Sequence, residues 1–333
     1  MTEGWTLTGA GIALAMSFFI SVAVTLGLMP WVMSTMRKAG IIGRDRNKKT
    51  KAWLPEMGGV GVILGYMAGV FTTLILLELV LGCGVPYRNV VISGMFCILG
   101  VGFIGVVDDI FDMRQRVKAF LPMFFAIPLA IYAVEAYGSK VTLLGSSGAE
   151  DIGVFMLLLI MFAVTAASNG ANMLEGYNGL GAGLAIIIAA FLSLIAFVQG
   201  RYLTLVFLLP LLGASLAFLR YNYFPAKVFP GDTFTLFYGG VIAVAVIVGP
   251  LKEVGAFLFI PMIVEFFLKM TSKFKAENFA KMDEFGHLRY NGPTQSLTHW
   301  FIKHMRVNER ELVWRVWGME VAVCACASFF VLL

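Results

Sequence analysis

Charge is scarce in this chain. Asp, Glu, Lys and Arg make up only 14% of its 333 residues, against about 25% in an average soluble protein. With 59% of residues hydrophobic and a mean hydropathy of +0.85, a soluble globule of this size could not hide its apolar surface. A secreted enzyme, a disordered tail protein and a soluble nucleic-acid binder are all excluded. Cysteine is also sparse. Cys83, Cys97, Cys324 and Cys326 lie in or beside apolar stretches, lack zinc spacing and form no disulfide framework. Histidine occurs three times, at His287, His299 and His304, with no two adjacent. The first apolar run has no convincing small-residue cleavage site, so it reads as a retained span and not as a removed signal.

What is present is a series of long apolar runs. A membrane helix needs about 20 mostly apolar residues. Ten runs qualify, at about 8–33, 58–80, 90–107, 118–137, 152–171, 179–199, 203–220, 233–250, 253–270 and 313–333. The expected fold is therefore an all-α polytopic membrane protein with ten transmembrane helices, a single integral membrane domain over 1–333. Only Arg88, Lys140, Arg201 and Lys252 fall in even-numbered connections; the other 21 of the 25 Lys and Arg fall in odd ones. Positive charge stays on the cytoplasmic side. The odd loops, about 34–57, 108–118, 168–178, 221–232 and 271–312, are thus expected in the cytoplasm and both termini outside. This charge is topogenic and gives no support to a nucleic-acid partner.

Polar groups near membrane depth are expensive and mark function more often than elsewhere. Four clusters stand out, all on the expected cytoplasmic face. Gly43-Arg44-Asp45-Arg46-Asn47-Lys48 continues to Leu54-Pro55-Glu56; its basic residues also suit lipid head groups, and Glu56 reads equally as a first-turn acid favoured by the helix dipole. Asp108-Asp109-Ile110-Phe111-Asp112 ends the third run, and on a helix Asp108 and Asp112 would share a face at i, i+4. Clustered carboxylates repel unless a cation sits among them, and hard oxygen ligands suit Mg²⁺ or Mn²⁺. Lys118 follows within reach of a phosphate. The bland alternative is a solvated loop with incidental acids. The third cluster, Asn169 to Leu180, carries Asn169, Asn172 and Asn178 among glycines and has no Lys or Arg; a plain Asn-Gly turn would look similar. The fourth is Phe229-Pro230-Gly231-Asp232-Thr233-Phe234, in which Asp232 reads as an N-cap or as a further metal-facing acid.

Together these clusters suit phosphoryl transfer, with acids holding a divalent cation, basic groups holding phosphates, and amides with glycine backbone holding a polar headgroup. A transporter or scramblase of nucleotide- or lipid-linked sugars is the rival reading. It would place ionisable groups near mid-span and show an inverted repeat. No such repeat is visible. Glu265 is the clearest mid-span acid, and Glu320 lies in the last run.

From about Gly43 to Phe234 the chain resembles the polyprenyl-phosphate N-acetylhexosamine-1-phosphate transferases. The resemblance rests on Gly105-Val106-Val107-Asp108-Asp109, on the Asn-x-x-Asn-x-x-x-Gly-x-Asn-Gly-Leu string ending at Leu180, and on Phe229-x-Gly231-Asp232-Thr233-Phe234. Gly43-x-Asp45-x-Asn47-Lys48 and Leu54-Pro55-Glu56 resemble the eukaryotic and archaeal branch, which acts on dolichyl phosphate. The bacterial translocase's histidine-rich motif is absent; Gly286-His287-Leu288-Arg289 stands near that branch's Arg-His-Arg run, and a ninth connection of about 42 residues suits a compact archaeal enzyme.

The resemblance implies an enzyme that moves GlcNAc-1-phosphate from UDP-GlcNAc to a dolichyl or other polyprenyl phosphate and releases UMP, the first step of lipid-linked oligosaccharide assembly. It implies Asn172 and Asp232 as Mg²⁺ ligands, with Mn²⁺ an alternative, and Asp108, Asp109 and Lys118 as catalytic. It implies substrate contacts from Asp45, Asn47, Lys48, Glu56, Asn169, Gly176, Asn178, His287 and Arg289. It leaves room for a homodimer among membrane lipids, and favours the archaeal cell membrane over the endoplasmic reticulum.

Overall fold

A computed structural model of the chain describes residues 7–46, 52–80, 88–142 and 149–332. Asn47, Lys48 and Cys83 lie outside the described residues. The all-α expectation holds. Long helices run over α1 (Leu7–Lys38), α2 (Gly59–Ile75, continued by a π-helical turn Leu76–Val80), α3 (Arg88–Phe111), α4 (Gln115–Tyr137), α5 (Phe155–Leu174), α6 (Leu180–Val198), α7 (Tyr202–Asn222) and α8 (Gly231–Val248). Shorter helices α9 (Lys252–Leu258), α10 (Ile260–Thr271) and α11 (Leu297–His304) precede the long α12 (Glu309–Leu332). Among the described residues, nine helices are long and apolar enough to cross a membrane. An α-helix meets that demand because it satisfies its own backbone hydrogen bonds where no water can.

The ninth expected run, 253–270, is present but not continuous. It breaks at Phe259 between α9 and α10. Pro261 has no N–H to continue the helical ladder and restricts the residue before it, which accounts for the break. α10 then turns Ile260, Ile263, Val264, Phe267 and Met270 outward while Met262, Glu265 and Lys269 are buried. Glu265, the mid-span acid, faces the protein: its Oε2 accepts the Leu297 N–H at 2.7 Å and the Ser296 hydroxyl at 3.0 Å, at the start of α11.

α8 lies at the centre, packed by α2, α3, α5 and α7. Its Phe234, Phe237 and Tyr238 are fully buried with Tyr66, Phe207 and Phe218, and Tyr66 meets Phe237 edge-on at 5.1 Å. Outer faces are apolar too, as Phe19, Phe103, Phe120, Phe124, Phe155 and Phe162 show. Large apolar side chains on both the inside and the outside are what a lipid solvent permits.

Three small antiparallel hairpins decorate the connections: β1 (Ile42–Arg44) with β2 (Trp53–Pro55), β3 (Lys140–Thr142) with β4 (Ala149–Asp151), and β5 (Lys281–Met282) with β6 (Leu288–Arg289). The first and third join the odd connections at one end of the bundle. There Gly58 N–H donates to Phe229 C=O at 2.9 Å and Phe229 N–H to Pro55 C=O at 2.9 Å, tying the first connection to the seventh.

Candidate functional site

The paired aspartates at the end of α3 face different partners. Asp108 Oδ2 accepts from Lys118 Nζ at 2.8 Å, and its Oδ1 from the Met113 N–H at 3.0 Å. Lys118 is in the first turn of α4, is only 6% exposed, and also donates to Asp232 Oδ2. One buried ammonium therefore bridges α3 and α8. Asp109 turns instead to the start of α8. It accepts the Asp232 N–H at 2.7 Å, the Thr233 N–H at 3.0 Å and the Thr233 hydroxyl at 2.6 Å. The N-cap position of α8 is Pro230, which has no capping side chain; Asp109 supplies the cap from another helix and satisfies N–H groups a helix leaves open. Gly231, at φ +69, makes room for it: an added Cβ would run into the Asp109 carboxylate. Asp112 departs from the sequence expectation. α3 ends at Phe111, and Asp112 takes φ +49, so it is exposed and shares no helical face with Asp108.

The amide string closes the other side. Asn169 on α5 donates to Ala119 C=O at 3.2 Å and Thr165 C=O at 2.9 Å. Asn172, one turn on, lies beside Asp232 and donates to the Thr235 hydroxyl at 2.8 Å. Asn178 donates through its backbone to Glu309 Oε1 at 3.1 Å and through its side chain to Asp45 Oδ2 at 3.2 Å. Asp45, Asn178 and Glu309 are buried, whereas Asn169 and Asn172 are half-buried. Gly176 packs against Asn278. Glu56 lies over Gly43; burial, and then the charge of Asp232, push its carboxyl upward.

The sequence-derived residues thus fall into three groups. Asp108, Asp109, Lys118, Asn172 and Asp232 form one contiguous unit, with Glu56 in electrostatic reach. Asp45 and Asn178 form a second with Glu309. His287 and Arg289 form a third around Asp283, which accepts the His287 N–H at 2.8 Å and Arg289 Nε at 3.1 Å; their polar partners lie in their own hairpin, apart from the Asp108–Lys118–Asp232 unit.

Several residues that support these groups were given no role from the sequence. Thr233, which stands in the Phe229–Phe234 motif, serves Asp109, and Thr235, which carried no distinguishing signal, serves Asn172. Glu175, just past α5, is half-buried, and burial, with Asp232 nearby, pushes its carboxyl up to about 7. Glu309 reads as a first-turn acid of α12, and Asn278 as one polar residue in a polar connection.

The unit also fits a hard divalent cation in its chemistry. Asp108, Asp109 and Asp232 are three carboxylates against one ammonium, and Asn172 adds an amide. Among the described residues no three His, Cys, Asp or Glu side chains form a chelating group by themselves. A donor set this small suits Mg²⁺, which dehydrates reluctantly and is usually held by one or two carboxylates plus phosphates.

Residues 91–250, from α3 to the end of α8, match the sequence profile described as glycosyl transferase family 4. A provisionally named UDP-N-acetylglucosamine–dolichyl-phosphate N-acetylglucosaminephosphotransferase of Sulfolobus acidocaldarius is 36% identical over 322 residues, 96% of each chain. The UDP-N-acetylglucosamine–dolichyl-phosphate N-acetylglucosaminephosphotransferase of Schizosaccharomyces pombe is 30% identical over 293 residues, 75% of this chain and 65% of the relative. A phospho-N-acetylmuramoyl-pentapeptide-transferase of Clostridium botulinum is 32% identical over 201 residues, 58% of this chain and 59% of the relative.

Proposed function

Since the chain belongs to glycosyl transferase family 4, among the polyprenyl-phosphate N-acetylhexosamine-1-phosphate transferases, we propose that the Asp108–Lys118–Asp232 unit is where it transfers GlcNAc-1-phosphate from UDP-GlcNAc to dolichyl or another polyprenyl phosphate. UMP leaves, and the product opens lipid-linked oligosaccharide assembly of the N-glycan type. An oxygen of the lipid phosphate attacks the β-phosphorus. The bond from that phosphorus to the bridging oxygen breaks, and the electron pair leaves with UMP. The observation that carries this reading is the buried ammonium of Lys118 held between two aspartates on different helices.

Lys118 is placed to meet diphosphate oxygens without being drawn into solvent. A preorganised cation in a water-poor site offsets developing charge far better than one in water. Asp232 and Asn172 would hold Mg²⁺, or Mn²⁺ in its place; when bound, the metal supplies neutralisation of the diphosphate charge. Asp108 orients Lys118, and Asp109 fixes the start of α8 and with it Asp232. Because Asp109 is committed to three donors and Asp108 to two, direct attack by the lipid phosphate suits the site better than an aspartyl intermediate. Asn169, Gly176, Asn178 and Asp45 would take the sugar and uridine, His287 and Arg289 the phosphates from the ninth connection, and Glu56 the lipid-phosphate entrance. The active face is cytoplasmic, both termini lie outside, the host membrane is the archaeal cell membrane, and the protein works as a homodimer.

The test is UMP release by detergent-purified protein given UDP-GlcNAc and a polyprenyl phosphate, with Mg²⁺ or with a chelator. Release that requires both lipid and metal is expected. No release with any UDP-N-acetylhexosamine, from protein that still binds the nucleotide sugar, would overturn the reading in favour of transport.

A further inference from the structure

We propose that Asn278, in the ninth connection, is a positioning residue that locks the Glu175–Asn178 segment into its binding shape. The proposal rests on that segment receiving the nucleotide sugar, as argued above. α5 ends at Leu174, and a helix end leaves its last carbonyls without intrahelical partners. Asn278 fills that need from 103 and 105 residues away. Its Nδ2 donates to the C=O of Met173 at 2.9 Å and of Glu175 at 2.6 Å. Its own C=O accepts the Tyr177 hydroxyl at 2.7 Å and the Thr298 hydroxyl at 3.3 Å. Gly176 lies flat against it, since a Cβ there would stand 3.0 Å from the Asn278 Cβ. Residues on both sides of Gly176 are therefore fastened to a single residue, itself 4% exposed.

Only an amide does this well. Two carbonyls face Nδ2, so the side chain cannot be turned over without setting oxygen against oxygen. Asp would do the same, and Ala would leave both carbonyls unpaired in a buried place. Asn278 is in turn anchored through Thr298 to the start of α11, which is held by Glu265 of α10. The clamp touches residues 173–177, while the Asp108–Lys118–Asp232 unit is fixed by separate contacts. Its loss should therefore fall on the nucleotide sugar and spare the lipid.

The experiment is steady-state transfer by Asn278→Asp and by Tyr177→Phe, with KM measured for each substrate. For Asn278→Asp, KM for UDP-GlcNAc should rise about tenfold while KM for polyprenyl phosphate stays within about twofold, the size of one displaced hydrogen-bond pair. For Tyr177→Phe the rise should be about threefold, and the double variant should be no worse than Asn278→Asp alone, because both act on one clamp. An unchanged KM for UDP-GlcNAc, or equal rises for both substrates, would overturn the proposal. If Asn278→Asp does not fold, Tyr177→Phe carries the test by itself. Calorimetric binding of UDP keeps the two readings apart. Wild-type protein that releases no UMP overturns the function, whereas unchanged UDP affinity in the variants overturns the clamp whichever way transfer turns out.

Discussion

Asp108 and Asp109 are neighbours in sequence with separate duties, and substitution should separate them. Asp109→Asn would turn an N–H₂ toward donors on Asp232 and Thr233, costing about 1–3 kcal/mol as well as transfer. Asp108→Asn leaves Lys118 its partner on Asp232, so it should unfold closer to wild type while losing transfer at least as fully. Thermal unfolding in detergent beside UMP release checks this; a more stable Asp109→Asn than Asp108→Asn would refute the cap. Glu175 ties stability to pH. Its folded-state carboxyl is raised to about 7 from an ordinary 4.5, by burial first and then by Asp232. The folded state therefore holds a proton that the unfolded chain releases between those values, and the group's contribution to stability is lost as pH rises through about 7. Glu175→Gln, which cannot ionise, should flatten the fall in melting temperature between pH 5 and pH 8; an unaltered slope would assign that pH dependence elsewhere. The residues legible from sequence were those that interrupt apolar runs, such as Asp108, Asn172 and Asp232. Glu175, Asn278 and Glu309 were not legible, because a polar residue in a polar connection looks like any other until its partner, in the case of Asn278 over 100 residues away, is known.

Helices carry these side chains to one another, and the close approach of α5 to α8 sets the distance between Asn172 and Asp232. Gly239 permits it: a Cβ there would stand 2.5 Å from the Ala167 C=O. Both contacting groups are backbone or backbone-fixed, so no rotamer change relieves the clash. Gly239→Ala should lower stability by about 1–3 kcal/mol and reduce transfer by opening the 2.8 Å bond from Asn172 to Thr235. A wild-type melting temperature in that variant would show that the two helices have slack. Hydropathy located the long elements well, because a membrane span declares itself by length and apolarity. It described the ninth stretch less well. Pro261 was the local signal for the break at Phe259, but hydropathy does not distinguish one continuous helix from two shorter ones. Glu265 has one partner within the run, Lys269 at i+4 and 3.9 Å, a spacing the sequence could have shown. Its hydrogen-bond partners Ser296 and Leu297 lie at the start of α11, outside the run, where no reading of that run could have found them. The same limit applies to α3, whose end at Phe111 takes Asp112 off the face that a longer helix would have given it.

At the scale of the whole molecule, scarce charge is doing two things at once. The 21 Lys and Arg of the odd connections are expected to hold one face in the cytoplasm, and the same connections build the site. The structure gathers them at one end of the bundle: Asp45 of the first meets Asn178 of the fifth, and Lys118 of the third meets Asp232 of the seventh. A chain whose nucleotide-sugar site faced outward would find no substrate there, since nucleotide sugars are charged and do not cross a lipid bilayer unaided. Topology and chemistry therefore stand or fall together, and one labelling experiment addresses both. With native cysteines replaced by serine, single cysteines at Phe285, an exposed position in the β5–β6 hairpin, and at Glu150, in the β3–β4 hairpin on an even connection, would be treated on intact cells with a membrane-impermeant maleimide. Glu150→Cys should label at once. Phe285→Cys should label only after the membrane is opened. The opposite pattern would put the aspartates outside the cell, break the link between positive charge and orientation, and leave the enzyme facing away from UDP-GlcNAc. Equal labelling of both before opening would mean that the chain does not insert in one orientation, which 21 against four basic residues should prevent.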